Sequence, residues 1–254
     1  MTIILAIETS SELASCALLN SAAGDGRSTH ACVSARESAG VRTHSQSVLP
    51  MVQELLREAG LALSDCDAIA FGAGPGSFTG VRTACGVAQG LAFGAQLPVL
   101  PLVTLEAMAE ACRVRLGATE VLTVLDARMN EVYWAQYRWD GAWQAVCAPA
   151  LSAPQDVSPH PVDGLAACGN GFAVYPEAFA GKDFAVQALA DILPHARELA
   201  VLGAAALAAG RALPAEEAQP LYLRNKVAYT SAERQAINAA TAAATAAAKS
   251  GAGE

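Results

Sequence analysis

The sequence predicts an α/β fold of two related lobes, on three observations. An apolar run, Ile3 to Ile7, ends in a carboxylate, Glu8, and a Thr-Ser-Ser turn leads into a second apolar stretch, "ASCALLN". At an offset of 118 the pattern returns, with Ile3 to Ile7 over Val121 to Leu125 and Glu8 over Asp126. A repeat near half the chain length marks a duplicated unit. Between and beyond these runs, segments with helical spacing alternate with short apolar runs, the pattern of α/β proteins.

The elements follow in order. A continuous apolar run such as Ile3–Ile7 suits a strand buried on both faces, and "ASCALLN" is its hairpin partner, with a turn at Gly24-Asp25-Gly26. Residues 45–60 form an amphipathic helix. Val48, Leu49, Val52, Leu55, Leu56 and Ala59 make one face, Gln53, Glu54, Arg57 and Glu58 the other, and Gly60 the stop. A strand at "DAIAFG" runs into the glycine loop "FGAGPGSFTGVR", and a helix follows from about Val81 to Phe93. Val99 to Val103 is a strand that Pro101 confines to a short or edge position. The helix "TLEAMAEACRVRL" precedes the second hairpin, "EVLTVLDARMNEVYWAQYRW". Residues 141–195 give weaker signals, apart from a second glycine turn at "CGNGF". An Ala-rich helix over 195–210 ends at Gly210, and "AQPLYLRNKVA" is a short extended segment. The lobes are expected at 1–102 and 103–228, the last helix being free to return to the first lobe, with a low-complexity, disordered tail over 229–254.

Composition excludes several classes. The chain has 254 residues, 53% of them hydrophobic and 16% charged, enough to bury a sizeable core. A net charge of −8 argues against tight unaided binding to nucleic acid. Glu8 interrupts the N-terminal apolar run too early for a signal peptide, and Gln96, Pro98 and Pro101 break the most apolar window, so no membrane span is expected. Seven scattered cysteines without a CxxC suit free thiols in a reducing cytoplasm.

The motifs narrow the chemistry. The loop holds Gly72, Gly74, Gly76 and Gly80 but no lysine, so it is no Walker loop. Its third glycine is displaced from GxGxxG, and Pro75 lacks a backbone donor. A strand-to-helix turn using Gly74 and Gly76 outweighs a nucleotide cradle, while an anion or nucleotide contact through Ser77, Thr79 and Gly80 at the helix N-terminus stays open. Beyond the loop, Gly86, Gly90 and Gly94 recur every four residues, and Ala84, Ala88 and Ala92 line another face. Each interior glycine costs roughly 1 kcal/mol relative to alanine, so the stripe needs a reason. Two readings stand: packing against the chain's own sheet, or close approach of a partner helix, shared with helix 45–60 through Val48, Val52 and Leu55. His30, His44, His160 and His195 form no HxH or HExxH, and no GxSxG elbow occurs. Glu8 and Asp126 could order turns or hold magnesium through water. Arg128 fits as a salt-bridge partner of Asp126, and "YLRN" at 222–225 as a strap between lobes or a contact site.

Taken together, "ILAIETSS", "HSQSVLPMVQELL", "FGAGPGSFTGVRTACGVAQGLAFG", "LPVLPLVTLEAMA", "DARMNEVYWAQY" and "YLRNKVA" resemble the bacterial TsaB (YeaZ) family of tRNA threonylcarbamoyladenosine (t6A) synthesis, over residues 3 to 228. The resemblance implies two ribonuclease-H-like lobes of the actin-like ATPase (ASKHA) superfamily. It implies a cytoplasmic, non-catalytic subunit that binds the catalytic paralogue TsaD with the ATPase TsaE, is able to form a homodimer in isolation, and meets tRNA indirectly through the complex. No cofactor is implied for this chain alone; ATP and metal are expected in the partner subunits. The paralogue's metal-binding HxxxH pair aligns here with Thr104 and Met108, neither an imidazole. The competing reading is a stand-alone nucleotide-dependent enzyme of the actin-like class; a metallopeptidase is disfavoured.

Overall fold

The computed structural model describes residues 1–21, 32–39 and 44–224. β1 (Ile3–Glu8) and β2 (Leu13–Asn20) form the expected hairpin, in register from Ile3 opposite Asn20 to Glu8 opposite Ser15. The Gly24-Asp25-Gly26 turn lies outside the described residues. A further strand, β3 (Cys32–Ala39), pairs antiparallel with β2. It is the outer strand of its sheet, and its "CVSARESA" lacks an apolar run, which hides it in the sequence. α1 (His44–Ala59) agrees with the expected helix within one residue. β4 (Ala68–Gly74) pairs parallel with β1, and β5 (Val99–Val103) parallel with β4 at the other edge, the position that Pro101 demands. α2 (Phe78–Ala95) begins three residues before the expected Val81, because Ser77 caps it. α3 (Thr104–Leu116) follows β5 directly.

The second sheet contains β6 (Glu120–Asp126), β7 (Val132–Trp139), β8 (Trp143–Ser152) and β9 (Ala166–Cys168). The two sheets run β3-β2-β1-β4-β5 and β8-β7-β6-β9. In each, a carboxylate-ended strand pairs antiparallel with the next strand, which pairs with a third. On its other side that first strand takes a parallel neighbour. The internal repeat is therefore carried by strand order as well as by the apolar runs.

The unbroken apolar runs have a physical cause. Successive strand residues point to opposite faces, and both faces of each sheet are covered. Ile3, Leu5 and Ile7 meet Val48 and Leu55 of α1 and Ala84 and Ala88 of α2. Ile4 and Ala6 meet Leu199, Leu202 and Ala206 of the helix Ala196–Ala208. In the second sheet, Val121 and Leu125 pack on Leu105, Met108 and Cys112 of α3. Leu122 and Val124 pack on Phe172 and Phe179, from the short helices α4 (Gly171–Val174) and α5 (Pro176–Phe179). The helix over 196–208, α6, packs on the first sheet and on α3. Its first turn is capped by His195, whose Nδ1 accepts from the Arg197 N–H at 3.0 Å.

Among the described residues no helix is long and apolar enough to cross a membrane. Cys16, Cys66, Cys85, Cys112 and Cys168 are free and buried, and Cys147 is free and half-buried. Burial pushes the Cys16 thiol up to about 12 and the Cys66 thiol up to about 11, which keeps both inert. Met1–Leu223 form one compact unit; of the other, Arg224–Glu254, only Arg224 is described, so the Ala-rich tail and the end of "YLRNKVA" lie outside the described residues.

α6 approaches its sheet closely at Gly203, where a Cβ would stand 2.9 Å from Ala70 Cβ and 3.1 Å from Ile4 Cγ2. Gly203→Val is expected to overpack this contact and to lower stability by about 1–3 kcal/mol in denaturant unfolding. An unchanged midpoint would mean that the α6 packing described here is not tight.

Candidate functional site

The glycine loop is a packing surface for the β1–β2 turn. A Cβ at Gly72 would fall 1.9 Å from Glu8 Oε2, and one at Gly80 would fall 1.9 Å from the Thr9 carbonyl oxygen. The Thr9 hydroxyl donates to the Gly80 carbonyl at 2.7 Å, and Ser77 N–H donates to the Ser10 carbonyl at 2.6 Å. Ser77 Oγ accepts from Gly80 N–H at 3.4 Å as the cap of α2. Two of the loop's donors are thus taken by the protein itself, and Pro75 has none. Gly74, at φ +115°, passes beneath the Leu221 carbonyl. Thr79 is exposed on the first turn of α2.

Under this loop Glu8 is fully buried. Oε1 accepts from Ser10 N–H, while Oε2 and the neighbouring Ser10 Oγ have no hydrogen-bond partner among the described residues. Burial, only partly offset by hydrogen bonding from Ser10 and Thr9, pushes the carboxyl up to about 7. Asp126 occupies the matching place in the second hairpin and also accepts from the N–H two residues on, that of Arg128, at 2.9 Å. Both carboxylates order their turns. Asp126 is satisfied further: the Tyr175 hydroxyl donates to Oδ1 at 2.9 Å, and Arg128 Nη1 lies 3.3 Å from Oδ2. These contacts hold an uncommon turn in which Arg128, Met129 and Asn130 all have φ near +60°. Left-handed backbone costs roughly 1–2 kcal/mol per non-glycine residue, and Asp126 and Tyr175 offset it. The second glycine turn mirrors the first, since Gly169 and Gly171 pass against Val124, and Asn170 Oδ1 accepts from Asp126 N–H at 2.9 Å.

α2 has two unlike faces. Ala84, Ala88 and Ala92 are buried against the first sheet. Gly86, Gly90 and Gly94 are exposed, and a Cβ built on any of them would meet nothing within 4 Å. Packing on the chain's own sheet is therefore not the reason for the stripe. Helix α1 requires a correction. Val48, Val52 and Leu55 were expected at a partner interface, but they lie in the core at 0%, 3% and 1% exposure. The amphipathic face of α1 serves the first sheet, and Leu49 is the large apolar side chain it leaves exposed.

Sequence reasoning missed the cluster at the head of the stripe. Arg82 lies four residues before Gly86 and four after Phe78. Its guanidinium stands 3.6 Å above the Phe78 ring, and its Nε donates to the Tyr222 hydroxyl at 2.7 Å. The spacing of four from Phe78 through Gly94 was the available signal, whereas the contact with Tyr222 spans 140 positions. Tyr222 places part of "YLRN" on α2, anchored by Leu221 N–H to the Ala73 carbonyl at 2.7 Å. Elsewhere, Thr104 donates to the Pro75 carbonyl and Met108 is fully buried, so both positions are occupied by packing. Among the described residues no three His, Cys, Asp or Glu side chains are grouped to hold a metal. A concavity of about 360 Å³ beside His195, Glu37 and Glu198 contains none of the expected site residues.

The fold is mixed α/β, with two sheets of matching strand order. The family model described as TsaD, tRNA N6-adenosine threonylcarbamoyltransferase, matches residues 35–250. The tRNA threonylcarbamoyladenosine biosynthesis protein TsaB of Escherichia coli K12 is 39% identical over 231 residues, covering 89% of this chain and 96% of that protein. TsaB of Haemophilus influenzae is 39% identical over 236 residues. Two solved structures from Pseudomonas aeruginosa, one of YeaZ and one of a protein described as similar to peptidase YeaZ, are 41% identical, with TM-scores of 0.77 and 0.79; each covers 88% of this chain and is itself covered completely. The chain belongs to the TsaB family.

Glu8 makes stability depend on pH. Its folded-state value lies above the ordinary 4.5, so the folded protein holds a proton that the unfolded chain releases. Stability is full below about pH 4.5 and falls as pH rises to about 7, by on the order of 3 kcal/mol. Glu8→Gln should flatten this window in unfolding measurements at several pH values. A wild-type curve that does not fall between those limits would show that Glu8 is ionised throughout.

Proposed function

We propose that this chain is a non-catalytic subunit of the t6A-forming assembly on tRNA. In this reading it docks on a TsaD-like catalytic paralogue, works with a TsaE-like ATPase in the cytoplasm, and meets tRNA only through the complex. Family membership supports the pathway. The observation that carries the docking reading is the face of α2 bearing Gly86, Gly90 and Gly94, open to solvent on a helix whose opposite face is core. Bare helix backbone allows another helix to approach closely, and the same face serves a homodimer in isolation. Glu8 and Asp126 acting on turns, and Thr104 and Met108 lying in packing, support the absence of catalysis by this chain. The repeated strand order supports two ribonuclease-H-like lobes of the actin-like class, divided near residue 102, with α6 returning to the first.

One substitution separates docking from folding. Gly90→Ala should stabilise the isolated chain by up to about 1 kcal/mol, through helix propensity in open space, yet weaken association with the TsaD-like protein. Gly90→Leu should weaken it at least tenfold in calorimetric titration, with circular dichroism unchanged. Unaltered affinity for both variants would refute docking through this face. A modification assay with each subunit omitted in turn tests the pathway itself.

A further inference from the structure

Arg82 is held in a way that folding does not explain. It is exposed, yet its guanidinium is fixed between the Phe78 ring at 3.6 Å and the Tyr222 ring at 5.5 Å, with Nε bonded to the Tyr222 hydroxyl. Among the described residues no carboxylate lies within ion-pair distance of it. By contrast, Arg36, Arg113, Arg115, Arg128 and Arg138 each pair with an Asp or Glu. The chain carries 24 acidic against 16 basic residues, and on this acidic chain Arg82 is a surface cation held in place by two aromatic rings.

We propose that Arg82 is a preorganised anchor for a carboxylate on the protein that docks along α2. This deepens the docking reading above and rests on it. Phe78, Arg82, Gly86, Gly90 and Gly94 follow at intervals of four and form one ridge, all of it exposed. A partner helix laid along the glycines reaches Arg82 at the N-terminal end of the ridge. There the planar guanidinium, with no carboxylate of the described residues in ion-pair reach, accommodates an Asp or Glu bidentately. Phe78 at 37% and Tyr222 at 46% exposure flank it with aromatic surface, and aromatic residues and arginine are the groups enriched at interface anchors. Holding the side chain in place beforehand lowers the ordering cost on binding. A protein carboxylate fits better than nucleic-acid phosphate, because the net charge of −8 repels a polyanion and the rest of the ridge is bare backbone.

The test titrates the TsaD-like protein with the wild-type full chain and with R82A, R82E, Y222F and G90L, at low and high salt. R82A should weaken association about tenfold and R82E about a hundredfold, with a shallower salt dependence for R82A. Y222F, which keeps the charge and loses the lock, should weaken it two- to threefold, as roughly expected for one hydrogen bond. If R82A and R82E bind like wild type while G90L does not, the anchor is wrong and the docking face stands. If none of the variants matters, the docking reading falls and takes the anchor with it. If R82E leaves the protein titration unchanged and weakens tRNA binding by the assembled complex, the group recognised is a phosphate and the carboxylate proposal is overturned.

Discussion

A carboxylate buried under a glycine turn is the constraint from which the first half of this molecule follows. Glu8 ends a strand covered on both faces, and its side chain has no solvent to reach. The chain above it must come within contact distance of a carboxyl oxygen, which only a residue without a Cβ permits at Gly72. The same closeness recurs at Gly80, where the first turn of α2 rests on the Thr9 carbonyl. The turn and the helix are thereby keyed to the β1–β2 hairpin, and the direction in which α2 leaves the sheet is set by that contact. The strap at Leu221 crosses the same loop at Gly74, and this brings Tyr222 to Arg82.

The two hairpins solve one problem differently. Each carboxylate accepts the N–H two residues along and so closes its turn. Glu8 does this beneath a roof, leaving one oxygen without a partner among the described residues and a proton held toward neutral pH. Asp126 does it beside Tyr175 and Arg128, with both oxygens engaged, and can support three successive residues in left-handed backbone. In the first copy burial raises the cost of ionisation; in the second, hydrogen bonding is turned to holding strain.

α2 divides its surface between two demands. Alanines give a flat face that lets the helix lie close to the first sheet. Glycines on the opposite side forgo helix propensity with no contact among the described residues to offset the loss. The sequence thus gives up stability in the isolated chain on a face that a second helix could approach closely. Arg82 stands at the end of that face, fixed by two aromatic rings. α1 contributes differently from the sequence-based expectation: its apolar stripe stabilises the first sheet.

The sequence by itself determined the two apolar runs, their terminal carboxylates, most helix limits within a few residues and that β5 is short or at an edge, because burial and proline geometry act locally. It also carried the family resemblance. β3 was hidden because an outer strand needs no apolar run, and the start of α2 because the Ser77 cap lies inside a glycine-rich turn. Only the tertiary structure decided which faces are inside. The periodicity of α1 reads identically for a core face and for a docking face, and covering by the sheet assigns Val48, Val52 and Leu55 to the core. Spacing likewise aligned the glycines of α2 without saying whether they met a sheet or solvent. Tyr222 reaches Arg82 across 140 positions, a contact that no local pattern encodes and that folding alone creates.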